Sequence, residues 1–127
     1  MPKRIVDGDA LWLSEKVRSL PEEFRLHYAN WIPLARENGV FEASPQRIQA
    51  QVYSYLRPNF TVASVQRVLN ALVRAGLVRL YDADGKTWGY FVGMDKPGRL
   101  PELRYIERYK NLPPNPPQWV INGTDPE

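Results

Sequence analysis

The chain has 127 residues, with 17 Lys+Arg against 14 Asp+Glu and a net charge of +3, the length of one domain of ordinary size plus whatever its ends do. A hydrophobic share of 43% is enough for a core, and no apolar run approaches the ~20 residues of a membrane-spanning helix, so no membrane partner is expected. There is no cysteine, hence no disulfide framework or thiolate metal site, and Met1-Pro2-Lys3-Arg4-Ile5-Val6-Asp7 lacks a signal-peptide segment, so a cytoplasmic protein is expected.

Ile5 to Leu20 reads as a lead-in, with Leu11, Trp12, Leu13 and Val17 expected as buried anchors and Ser14 as the cap of a short turn. A first helix starts at Leu20-Pro21-Glu22-Glu23, where proline suits the first helical position and acids complement the helix dipole. Phe24, Tyr28, Trp31 and Ala35 recur at helical spacing, and Leu26 and Ile32 widen the stripe. Pro33 should kink this helix or end its regular part about a turn earlier, and Asn38-Gly39 should stop it.

Val40-Phe41-Glu42-Ala43 is a small strand that needs a later partner. Ser44-Pro45 opens a second helix, with cap and N1 proline, predicted to bury Ile48, Val52, Tyr55 and Leu56 before Arg57-Pro58-Asn59-Phe60 breaks it. Thr61 caps a third helix, whose stripe of Val65, Val68, Leu69, Leu72 and Val73 is the clearest helical period in the chain, and Ala75-Gly76 closes it. The period then changes to alternation: Leu77 to Tyr81 and Thr87 to Val92 read as strands, joined through the turn signal Asp84-Gly85. Helix, small strand, helix, helix and hairpin in this order predict an α+β fold, a winged helix-turn-helix of three helices plus a β-hairpin wing over residues 1–94. Residues 95–127 form an extended, proline-rich C-terminal arm, because Pro113-Pro114-Asn115-Pro116-Pro117 suits neither helix nor central strand.

Between Ala43 and Tyr81 there is no acidic residue, but there are five arginines, Arg47, Arg57, Arg67, Arg74 and Arg79, so all of the net positive charge lies in this stretch. A basic face on a helix pair is what a duplex-binding module needs, since phosphate neutralisation supplies most non-specific affinity. Arg67, Asn70 and Arg74 share one face of the third helix at spacings of three and four, with Ser64 and Gln66 also off the core stripe. Arginine and asparagine carry the donor forks that fit guanine and adenine edges in the major groove. The bland alternative is a solvated helix face, against which the missing acids count, because a merely soluble face mixes signs. Arg57 falls in a break and Arg79 on a strand, so the interface is expected from Arg47 and the third-helix face. Arg47 would hold a phosphate, helped by the amides that open the second helix. At the hairpin, Lys86 is in reach of a phosphate but has Asp82 and Asp84 beside it, and a hairpin that only covers the core is the equal alternative.

Other motifs fall to bland readings. Gly85-Lys86-Thr87 resembles the end of a phosphate-binding loop, but Leu80 stands where the motif needs glycine and a strand follows where it needs a helix. His27 is the only histidine and reads as a structural residue. The carboxylate pairs sit at a helix start or in an exposed segment, so no catalytic residue, metal, cofactor or small-molecule substrate is predicted and the protein is not expected to be an enzyme. In the arm, Lys96, Arg99, Arg104, Arg108 and Lys110 interleave with Leu103, Tyr105, Ile106 and Tyr109. The arm has three readings, a strap on this module, a bridge to a second copy or a basic tail along DNA. Trp119 argues for docking, and a homodimer through the arm is the favoured use.

Several runs carry a family resemblance: Trp12, Ser14-Glu15-Lys16 and Leu20-Pro21-Glu22-Glu23-Phe24-Arg25-Leu26; Glu37-Asn38-Gly39-Val40-Phe41-Glu42-Ala43-Ser44-Pro45; Leu72-Val73-Arg74-Ala75-Gly76-Leu77-Val78; and Asp84-Gly85-Lys86. Together they resemble the amino-terminal domain of phage and prophage replisome organisers over roughly residues 10 to 117. The resemblance implies a winged-helix module that binds DNA in replication initiation or transcription control. The expected function is therefore non-enzymatic double-stranded DNA binding. The alternative is an assembly module of the same fold, making a homodimer or docking a replication partner without DNA.

Overall fold

Local capping chemistry starts most of the helices. In the computed structural model, which describes residues 11–93 and 112–123, the Ser14 hydroxyl accepts the Val17 N–H at 3.2 Å and caps α1 (Glu15–Arg18). Pro21 precedes α2 (Glu22–Trp31), which carries Glu22 and Glu23 in its first turn. Pro33 lacks a donor and its ring crowds the preceding turn, so α2 ends at Trp31 and Ile32–Leu34 tighten into a 3-10 turn. Asn38-Gly39 is therefore no helix stop. It turns the chain into a strand instead: Gly39 takes φ 81° and its N–H reaches the Arg36 carbonyl at 2.9 Å.

The strands are β1 (Val40–Glu42), β2 (Val78–Ala83) and β3 (Lys86–Phe91), in the antiparallel order β1-β3-β2. Asp84 (φ 53°) and Gly85 (φ 76°) form the two-residue loop between Ala83 and its register partner Lys86, the mirror-image turn that suits the twist of a hairpin. β1 finds its partner in β3, with Phe41 opposite Gly89. The Phe41 ring lies over that glycine, where an added Cβ would come within 2.5 Å of the ring.

Between β1 and the hairpin run α3 (Pro45–Ile48), which continues as a π-helical turn over Gln49–Tyr53, and α4 (Val62–Arg74). The core collects Trp31 from α2, Val40 and Phe41 from β1, Ile48 from α3, Val65, Val68, Leu69 and Leu72 from α4, and Tyr90 and Phe91 from β3. The α+β class and the three-stranded antiparallel sheet agree with the sequence reading.

Three predicted core groups differ. Tyr55 and Leu56 are 92% and 80% exposed, while Tyr53 is buried. The wider π turn, closed by Ser54 N–H to the Gln49 carbonyl at 3.0 Å, shifts the buried position from the expected i+7 and i+8 residues to Tyr53, five residues after Ile48, while Val52 still packs against the core. Leu26 is exposed, because the inward face of α2 runs through Phe24, His27, Tyr28 and Trp31. Trp12 and Leu13 are also exposed; Val17 and the buried Leu20 make the contact with the core.

Residues 112–123 return to the module. The Asn38 side chain donates to the carbonyl of Pro113 at 2.9 Å and to Asn115 Oδ1 at 3.2 Å, and the Tyr81 hydroxyl donates to the Pro114 carbonyl at 2.5 Å. The short helix α5 (Gln118–Asn122) then packs on β2 and buries Val120 completely. Arg79 donates to the Gly123 carbonyl at 3.2 Å and lies 5.8 Å over the Trp119 ring. This part of the expected arm is a strap on its own chain, while Lys96, Arg99, Leu103, Arg104, Tyr105, Ile106, Arg108, Tyr109 and Lys110 lie outside the described residues. Among the described residues no helix is long and apolar enough to cross a membrane.

Candidate nucleic-acid interface

Thr61 organises the start of α4. Its hydroxyl accepts the Ser64 N–H at 3.2 Å and donates to Ser64 Oγ at 3.1 Å, and Arg67 Nη2 donates to the same Ser64 Oγ at 2.9 Å. Ser64 is thus a partly buried hub that lays Arg67 back along the first turn. One turn further on, Gln66 Nε2 donates to Asn70 Oδ1 at 2.8 Å. The helix closes with Gly76 at φ 77°, whose N–H meets the Val73 carbonyl at 3.0 Å, while Leu77 N–H meets the Leu72 carbonyl at 3.0 Å, a double closure that needs a left-handed residue. Burial of Val65, Val68, Leu69 and Leu72 turns Gln66, Arg67, Asn70 and Arg74 to solvent.

Arg67, Asn70 and Arg74, placed on one face by their spacing, line one wall of an open cleft of about 450 Å³, whose opposite wall is Ser19, Leu20, Pro21 and Phe24. That opposing wall is absent from the sequence reading, because it comes from the corner between α1 and α2, some fifty residues away.

Arg47 and Lys86 are brought together, and not as predicted. Glu42 lies between them: Arg47 Nε is 2.8 Å from Glu42 Oε2, and Lys86 Nζ is 3.6 Å from Glu42 Oε1. Glu42 precedes the acid-free stretch by one residue, and pairing of β1 with β3 carries it to the hairpin opposite Trp88. Asp82, expected with Asp84 to repel a phosphate at Lys86, accepts the Thr87 hydroxyl at Oδ1 at 2.8 Å and keeps its negative charge beside the turn. Of the amides that open α3, expected to help Arg47 hold a phosphate, the Arg47 N–H is directed to Ser44 Oγ at 3.4 Å.

Compared with family models, curated proteins and solved structures, the chain has no match.

Of the remaining arginines in the stretch, Arg57 lies 4.9 Å over the Phe60 ring and Arg79 holds the strap, both packing roles. His27 belongs to a buried cluster beneath the turn between α3 and α4. Its Nδ1 is 2.5 Å from the Tyr53 hydroxyl, which also accepts Trp31 Nε1–H at 2.7 Å, and its ring stacks on Phe60 at 4.8 Å. Desolvation, and after it the charge of Arg57, holds the imidazole below its ordinary pKa, and burial raises that of Tyr53. A neutral imidazole accepting the Tyr53 proton satisfies both groups, with the Trp31 bond taken by the same oxygen. Among the described residues no group of three His, Cys, Asp or Glu side chains is placed to hold a metal ion.

Proposed function

We propose that this chain is a non-enzymatic winged helix-turn-helix protein that binds double-stranded DNA, with α4 in the major groove. The observation that carries the reading is the face of α4: Arg67, Asn70 and Arg74 stand together in solvent, with Gln66 beside them, on a helix without an acidic residue. The element order and the strand order β1-β3-β2 are those expected of a winged helix, which would put the hairpin beside the duplex. The resemblance of the sequence to replisome-organiser domains favours a role in phage or prophage replication or transcription, and such a DNA partner would place the protein in the cytoplasm. An electrophoretic shift series over salt, with and without competitor duplex, tests the proposal. Binding should weaken steeply as salt rises, and absence of binding to mixed duplex at about 50 mM salt would end the proposal.

A second reading has its own support. Trp12, Leu13, Leu26, Tyr55 and Leu56 are large apolar side chains left exposed, and exposed apolar surface marks association sites when it is contiguous. In that reading the fold is an assembly module for a second copy or a replication partner. Light scattering over a range of concentrations separates the two: a monomer throughout removes the homodimer.

A further inference from the structure

Two cations from different elements converge on one carboxylate at the junction of β1, α3 and the hairpin. Arg47 comes from α3 and Lys86 from the start of β3, and each meets a different oxygen of Glu42, at 2.8 Å and 3.6 Å. Both cationic side chains face water, at 66% and 52% exposure, while Glu42 is at 22%. The carboxylate thus sits in the recess and the cations form its rim. Two oxygens shared between a guanidinium and an ammonium is also the way a phosphodiester is held. Exposed ion pairs are weak, so the carboxylate can be displaced by a polyanion that brings many phosphates at once.

We infer that Glu42 is an internal phosphate mimic that occupies the anion site formed by Arg47 and Lys86, and that it sets the affinity of the protein for the nucleic-acid backbone by competing with a phosphate for these two cations. The inference rests on the DNA-binding reading above. It gives Glu42 a role the charge pattern hides: with two cations and one anion, the site offers a duplex one net positive charge, not two. Lys86 is further held by the aromatic face of Trp88, 6.0 Å away, so removing the carboxylate leaves Lys86 near its place.

The test uses the full chain and a mixed-sequence duplex. Glu42→Gln should steepen the slope of log K against log salt by about 0.9 and tighten binding about eight-fold at roughly 0.1 M salt, the value of one more phosphate contact. Arg47→Ala in the Glu42→Gln background should abolish that gain. Asp82→Asn removes an acid of the same hairpin that meets a hydroxyl and not a cation, and should change the slope by less than half as much. Glu42→Thr, neutral and favourable in a strand, repeats the test should the glutamine variant fold poorly. Equal gains from Glu42→Gln and Asp82→Asn would reduce the effect to net charge and overturn the inference. Salt-dependent binding by the native chain with no gain on neutralising Glu42 would overturn it and leave the DNA-binding reading intact. No binding by either the native chain or the Glu42 variants would end both.

Discussion

His27 is 8% exposed and is the only histidine of the chain. Burial, with the Arg57 charge as the smaller cause, holds its folded pKa below the ordinary 6.5. Between that ordinary value and the lowered one, the unfolded chain binds a proton that the folded chain refuses, so stability falls as pH drops below 6.5, by at most about 1.4 kcal/mol per pH unit. Carboxylates titrate lower, so urea unfolding between about pH 5.5 and 7.5 isolates this residue, and His27→Gln should flatten the dependence. Gly89 is a second residue whose surroundings dictate its identity. An added Cβ would meet the Phe41 ring at 2.5 Å, and that ring also packs on Phe91 at 4.9 Å between centroids. Gly89→Ala should therefore lose about 1–3 kcal/mol in urea unfolding, and Phe41→Leu in the same chain should recover part of it, as expected for neighbours that share one space.

The π turn after α3 decides which tyrosine the core receives. Tyr53→Phe keeps the ring but removes the oxygen that serves both Trp31 Nε1 and His27 Nδ1. Two buried polar groups then lose their partner, an expected loss of about 2–3 kcal/mol in thermal or urea unfolding. Tyr55→Ser, at a residue 92% exposed, should change stability by no more than about 0.5 kcal/mol. On α4 the expected effects fall on binding. Arg67→Ala and Arg74→Ala should each flatten the slope of log K against log salt by about one unit, with stability nearly unchanged. Thr61→Ala should act on both: it removes the cap of Ser64 N–H, lowering stability by about 1 kcal/mol, and frees the Ser64 hydroxyl from one of its partners.

At the scale of the molecule, the strap packs on β2, which among the described residues pairs with β3 alone. A bare edge strand offers unpaired backbone groups to other chains, and α5 with its buried Val120 packs on that strand. The proline run fits a strap because it holds an extended path without helix, and the carbonyls of Pro113 and Pro114 serve as acceptors for Asn38 and Tyr81. Val120→Ala should lower stability by about 2 kcal/mol, which is about 8 °C in a melt of a domain this size. A chain ending near Met94 should melt lower still, since it loses the whole strap.

What could be read from the residues alone is local. Ser14, Ser44 and Thr61 announce their caps, Asp84-Gly85 its turn, Gly76 its helix end and the α4 stripe its buried face, because each depends on neighbours within a few positions. The grouping of Arg67, Asn70 and Arg74 is legible for the same reason, since helical spacing alone puts them on one face. Other features depend on which distant residues meet. Strand register brings Glu42 to Lys86, packing against His27 and Trp31 puts Tyr53 inward and leaves Tyr55 out, and Asn38 meets Pro113 across 75 positions. Local sequence determined the elements and the basic helix face. Tertiary structure alone decided that Arg47 and Lys86 share a carboxylate and that the chain's end straps its own sheet, because ion pairs and buried contacts form only where the fold closes the distance.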